Sequence, residues 1–93
     1  MRRIYKYPLD ITKGEQGVGI RFDVPMPKGA RILTVQMQAG LPTIWADVSK
    51  DREATRRLVI YGTGWDLPQE PGVYVSSVQS GPYVWHIYDQ GER

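Results

Sequence analysis

Seven prolines and ten glycines are spread along the 93 residues of this chain, and no long window between them repeats apolar residues at spacings of three, four and seven. Proline lacks the N–H a helix interior needs, and glycine costs about 1 kcal/mol there relative to alanine. A helical architecture is thereby excluded, and β-structure is what remains. Runs rich in Val, Ile, Thr, Tyr and Trp fall between the breakers at Arg3–Tyr7, Gly19–Val24, Arg31–Gln38, Thr43–Val48, Thr55–Tyr61, Val73–Gln79 and Tyr83–Tyr88. Such runs read as strands, about seven of them. The expected fold is all-β: a small antiparallel β-sandwich or a partly open β-barrel, in one domain spanning residues 1–93, since a chain of this length has room for one core.

The connections have their own chemistry. Met26-Pro27-Lys28-Gly29 fits a type I turn, Pro fixing φ at the second position. Ala39-Gly40-Leu41-Pro42 reads as a hairpin in which glycine takes positive φ, and Ser80-Gly81-Pro82 does the same between the last two runs. Ser49–Ala54, SKDREA, reads as an exposed connection able to hold one helical turn. Because a strand alternates faces with period two, Leu33, Val35 and Met37 share a face, as do Ile44, Ala46 and Val48, and Leu58 and Ile60. Those eight are the predicted core. The opposite face carries Trp45, Arg57 and Tyr61. Aromatic rings placed for solvent alone are costly, so Trp45 and Tyr61 are either covered by another strand or part of a contact surface.

Composition narrows the function classes. Twelve basic against ten acidic residues give a net charge of +2, too weak a bias to make nucleic acid a favoured partner. The absence of cysteine leaves no disulfide or thiolate metal site to stabilise the domain. MRRIYKYPLD contains no apolar run of signal-peptide length, and no stretch approaches the roughly 20 apolar residues of a membrane helix, so a cytoplasmic setting without membrane contact is expected.

Chemistry-bearing residues are sparse. His86 is the single histidine, which leaves no His pair for a metal or for acid and base roles, and a lone strand histidine is more often a hydrogen-bonded structural residue. Ser76, Ser77 and Ser80 lack a nucleophile elbow, and the carboxylates Asp47, Asp66, Glu70 and Asp89 are dispersed. Asp66 and His86 are the only residues to which a catalytic role could be given. No enzyme activity, cofactor or metal is expected.

The stretch IYGTGW singles itself out. Gly62-Thr63-Gly64 is neither a P-loop nor a dinucleotide fingerprint, since the lysine, the third glycine and the following helix are missing. Consecutive N–H groups in such a bend can nevertheless form an anion-binding nest, beside which Trp65 offers a flat apolar face. The candidate binding residues are therefore Tyr61, Gly62, Thr63, Gly64 and Trp65, with Trp45 and Arg57.

IYKYPL at Ile4–Leu9, MPKGARILTVQMQAGLPTIWADV at Met26–Val48, YGTG at Tyr61–Gly64 and VWHIY at Val84–Tyr88 together resemble an uncharacterised family of small phage and prophage proteins. In that family YGTG is commonly followed by His, where this chain has Trp65. The resemblance implies a phage-encoded accessory protein that acts in the host cytoplasm by binding. Three readings are open: an inhibitor that contacts a host protein such as a defence factor; a protein that sequesters a small nucleotide-like anion at the YGTGW loop; and a minor virion or assembly component. The free edges of a small sheet also make a homodimer an expected assembly, through the first or last strand.

Overall fold

Two-residue turns set most of this fold. The computed structural model describes all residues, Met1–Arg93, and contains eight strands: β1 (Arg2–Pro8), β2 (Glu15–Gln16), β3 (Ile20–Pro27), β4 (Arg31–Gln38), β5 (Leu41–Ser49), β6 (Glu53–Gly62), β7 (Val73–Ser80) and β8 (Tyr83–Glu92). Between β4 and β5, Ala39 and Gly40 both take positive φ, 51° and 79°, the signature of a type I′ turn. Between β7 and β8, Gly81 at φ 57° precedes Pro82, which is what a type II′ turn asks of its two central residues. The remaining turns differ from the sequence reading. The Pro27–Lys28–Gly29 turn closes one residue later than expected, with the Ala30 N–H donating to the Pro27 carbonyl at 3.2 Å and Gly29 third at φ 77°. SKDREA holds no helical turn, because β5 runs through Ser49 and β6 begins at Glu53. A 3-10 turn at Ile11–Lys13, capped by the Asp10 carboxylate accepting from the Thr12 N–H, and the short β2 went unforeseen.

All pairings are antiparallel. They build a three-stranded sheet, β1-β5-β4, and a five-stranded sheet, β2-β3-β6-β8-β7. Between the inner faces lies one apolar cluster: Val35, Ile44, Ala46 and Val48 from the smaller sheet, Ile20, Met26, Leu58, Ile60, Val78 and Ile87 from the larger, with Leu9 and Ala30. Seven of the eight predicted core residues thus lie in or against the core, Met37 being partly buried. Leu33 is the exception. β4 carries an extra residue between Ile32, opposite Ala46, and Thr34, opposite Trp45. This bulge reverses the alternation, so that Ile32 packs on the core and Leu33 is 41% exposed.

One long side of the sandwich is closed. The edges of β4 and β7 meet where the Ser76 hydroxyl donates to the Val35 carbonyl at 2.7 Å and accepts from the Val35 N–H at 3.0 Å. Ser76 points inward because β7 has its own bulge between Tyr74 and Ser76. The crossing from β3 to β4 is also pinned: Arg56 of β6 donates to the Ala30 carbonyl at 2.7 and 2.8 Å and pairs with Asp89 at 3.0 Å. The opposite long side, between β1 and β3, has no such clasp. β2 pairs with only Ile20 and Arg21 of β3.

Candidate functional site

Strand β6 runs out at Gly62, and the next three residues make a tight bend. The Trp65 N–H donates to the Gly62 carbonyl at 3.1 Å, and Gly64 has φ 87°, a backbone state that side chains disfavour. Gly62 has a different reason for being glycine. A Cβ there would lie 2.7 Å from Trp65 Cε2 and 2.8 Å from Nε1, so the indole folds back onto the bare backbone. Trp65 then meets Trp85 edge to face, ring centroids 5.7 Å apart at 75°, and Trp85 stacks on Tyr83 at 5.6 Å and 20°. Trp85 packs against the core, whereas Trp65 is 44% exposed and Tyr83 61%. Three rings therefore share one end of the larger sheet, anchored in the middle and open at both flanks. Beyond them Asp66–Glu70 is exposed, with Leu67 outward and prolines at 68 and 71 stiffening the path.

The outer face of the same sheet carries a polar chain. Thr63 Oγ1 lies 2.8 Å from His86 Nε2, His86 Nδ1 lies 2.7 Å from Ser77 Oγ, and Ser77 Oγ lies 2.7 Å from the Tyr74 hydroxyl. A neutral imidazole has one donor and one acceptor, so the protons run in one direction along this chain. With the Thr63 hydroxyl donating to the Val84 carbonyl at 3.4 Å, that direction has His86 Nε2–H donating to Thr63, Ser77 donating to Nδ1 and Tyr74 donating to Ser77. Ser77 and His86 stand at the distance of a nucleophile and its base, but the other ring nitrogen meets a threonine rather than a carboxylate. Tyr88 sits edge-on to both Tyr61, at 5.6 Å, and Tyr74, at 5.5 Å. Tyr61 itself is covered: the chain at Gly19 crosses so close that a Cβ there would lie 2.7 Å from Tyr61 Cε1 and from Val59 Cγ1. Burial raises the Tyr61 phenol above its ordinary value of 10.0, with a smaller contribution from Tyr88.

The structure divides the candidate residues. Gly62, Thr63, Gly64 and Trp65 form one loop, and Trp65 is as accessible as expected. Tyr61, expected on the contact surface, is only 4% exposed because Gly19 and Tyr88 cover its ring. Arg57 lies four residues down β6, about 13 Å away at the rise of a strand, and donates to Asp23 at 2.9 Å, which lowers the Asp23 pKa below its ordinary 3.8. Trp45 sits in β5 opposite Lys6 and Thr34, on the outer face of the other sheet, and shares nothing with the loop. The anion nest also loses donors: the Thr63 N–H is directed to the Val84 carbonyl at 3.3 Å and the Trp65 N–H to Gly62.

Trp85, Tyr83, Ser77 and Tyr74 escaped the sequence reading as site residues. Their signal was present in the hairpin: a two-residue turn at Gly81-Pro82 places Ser77 opposite His86 and Val78 opposite Trp85. The family model for a domain of unknown function, DUF7352, matches residues 1–93. The chain belongs to the DUF7352 family. No curated protein and no solved structure matches it. In this DUF7352 chain no helix is long and apolar enough to cross a membrane.

Proposed function

We propose that the chain is a non-enzymatic binding protein whose contact surface is the Trp65, Trp85 and Tyr83 end together with the exposed Asp66–Glu70 loop. The observation that carries this reading is the presentation of two aromatic rings, Trp65 and Tyr83, on a third ring, Trp85, that is packed against the core. Surface aromatic side chains are among the residue types that dominate protein–protein binding energy, and a ring already packed on a neighbour has less entropy to lose on binding. A protein partner fits better than a small anion, because two of the loop's N–H groups are already paired. The Ser77 and His86 pair supports hydrogen-bonded rigidity of the loop through Thr63 rather than catalysis, since no carboxylate orients the ring.

A phage origin, which the resemblance of IYKYPL, YGTG and VWHIY carries, makes a host protein the partner of choice and the host cytoplasm the place of action. The test is affinity capture from host lysate with the chain tagged, in parallel with Trp65→Ala and with Val73→Ser, which alters an exposed apolar residue outside this end. Trp65→Ala loses the edge contact, about 0.5–1.5 kcal/mol, and the burial of the covered half of the indole besides, so its melting curve is measured beside the capture, which is carried out below its Tm. Capture that Trp65→Ala abolishes and Val73→Ser preserves supports the reading. Capture that Trp65→Ala leaves intact, or capture only of virion components, overturns it.

A further inference from the structure

The unclasped side of the sandwich presents a complete strand edge. β1 pairs with β5 from Arg2 to Pro8 without a bulge, and nothing pairs with its other side. The phase of its hydrogen bonds follows from Leu9, whose N–H donates to the Pro42 carbonyl at 2.7 Å. Hydrogen-bonded pairs alternate along an antiparallel ladder, so Tyr7, Tyr5 and Arg3 turn their backbone groups toward β5. The N–H and C=O groups of Arg2, Ile4 and Lys6, and the Pro8 carbonyl, point away from the sheet. β3, across the opening, offers a poorer edge, since Pro25 and Pro27 remove two of its donors.

There is also room for the side chains of an added strand. Tyr5 faces the inner side by its register with Ala46, yet it is 46% exposed. Two grooves flank β1, one of about 440 Å³ lined by Arg3, Tyr5, Val48, Lys50 and Asp51 among others, the other of about 630 Å³ lined by Pro8, Leu9, Phe22 and Val24 among others. The second groove also holds the carboxylates Asp10, Glu15 and Asp23, which are already engaged by Thr12, Arg21 and Arg57. A strand laid along β1 would extend the three-stranded sheet and drop every second side chain into these grooves.

Charge selects the occupant. β1 reads RRIYKYP, with Arg2, Arg3 and Lys6 and no acidic residue. Arg2 reaches Asp47 at 3.5 Å, but Lys6 is bonded only to the Gln38 amide oxygen at 2.8 Å, and Arg3 has no carboxylate within ion-pair distance. A second copy pairing antiparallel about Ile4 would set its Arg2 opposite Lys6, basic on basic, which disfavours a dimer through this edge. We propose that β1 is a docking edge for an extended acidic segment of a partner protein, added as a fourth strand. The edge stands on the β1 and β3 side, away from Trp65, so the proposal does not depend on the aromatic end.

The probe is a display library of random eight-residue peptides, followed by amide hydrogen exchange of the labelled chain with an enriched peptide. Enriched sequences should be rich in Asp and Glu, and the peptide should slow exchange at Ile4 and Lys6 at least tenfold while leaving Tyr5 and Tyr7 unchanged. Ile4→Pro, which deletes an outward N–H but no bond to β5, should weaken binding roughly tenfold. Lys6→Glu should shift the selection toward basic peptides, and it decides the matter if Ile4→Pro fails to fold. The proposal is overturned if no peptide is enriched, if enriched peptides lack acidic bias or protect amides elsewhere, or if the free chain is a dimer that Ile4→Pro dissociates.

Discussion

The Ser76 hydroxyl is the only side chain that hydrogen-bonds the edge of one sheet directly to the backbone edge strand of the other on the closed side, and Ser76→Ala tests how much that clasp holds. The substitution removes an acceptor for the Val35 N–H and a donor for the Val35 carbonyl, bonds of 3.0 and 2.7 Å at a partly buried position. A buried group left without a partner costs about 1–3 kcal/mol. Water can reach a part-buried edge and recover some of that, so a total near 2 kcal/mol is expected from the two groups together. For a domain of this size 1 kcal/mol corresponds to roughly 4–8 °C, which gives a Tm drop of about 8–16 °C. In urea the midpoint should move by about 1 M with the slope unchanged, because the surface exposed on unfolding is the same. Hydrogen exchange supplies an independent readout: the Val35 amide should lose protection beyond what the global loss of stability explains. Ser80→Ala, on the same strand but without a bond across the sheets, is the control. A Tm change below about 2 °C, or unaltered Val35 protection relative to the global value, refutes the clasp.

Two further outcomes follow from the loop and from the titrating groups. Gly64→Ala meets no atom within 4 Å, so its whole effect is the strain of φ 87°, about 1–2 kcal/mol, whereas Gly62→Ala displaces the Trp65 ring and should change tryptophan emission and partner capture more than it changes Tm. Thermal melts and fluorescence of the two variants separate these effects, and equal behaviour would refute the distinction. Tyr61 and Tyr7 have pKa values raised mainly by burial, so the folded state favours the neutral phenol; their contribution is fully present below the ordinary 10.0 and is lost as pH rises through the raised values. Asp10 and Asp23 have lowered values, through hydrogen bonds from Thr12 and Arg57 respectively, so their contribution is present above 3.8 and is lost as pH falls. Urea melts across pH should show both flanks, with Tyr61→Phe flattening the alkaline one; an unchanged alkaline flank in Tyr61→Phe together with Tyr7→Phe would contradict the assignment.

Most of the architecture was legible because breakers and alternation act locally. Ile44, Ala46 and Val48 were placed inward by period two alone, and the hairpin turns were marked by Gly40 and Gly81. What was missed depends on partners distant in sequence. The bulge that turns Leu33 outward is visible only against Ala46 and Trp45 of the paired strand. For Tyr61 the sequence left two readings open, a covered ring or a contact surface, because nothing local reveals that Gly19 crosses over it. Likewise Trp65 was legible as an apolar face beside the bend, but the reason Gly62 precedes it, the indole lying on that residue, is a contact made after the chain has bent back. Ser77 could have been found by counting back from Gly81-Pro82; its use as a partner for His86 required trusting the turn.

Strand order in the larger sheet also governs when this fold can exist. β8 is the last strand along the chain yet lies between β6 and β7, which are parallel to each other and do not touch through hydrogen bonds. During synthesis β6 and β7 emerge first, and neither can complete its pairing until Tyr83–Glu92 has cleared the ribosome. Until then β6 shows an open edge and the closing side of the sandwich has no Ser76 clasp worth making, because β7 has no sheet to belong to. Folding of this chain therefore waits on β8, whose ten residues Tyr83–Glu92 act as the keystone, and a nascent chain halted anywhere before β8 should be protease-sensitive along its whole length.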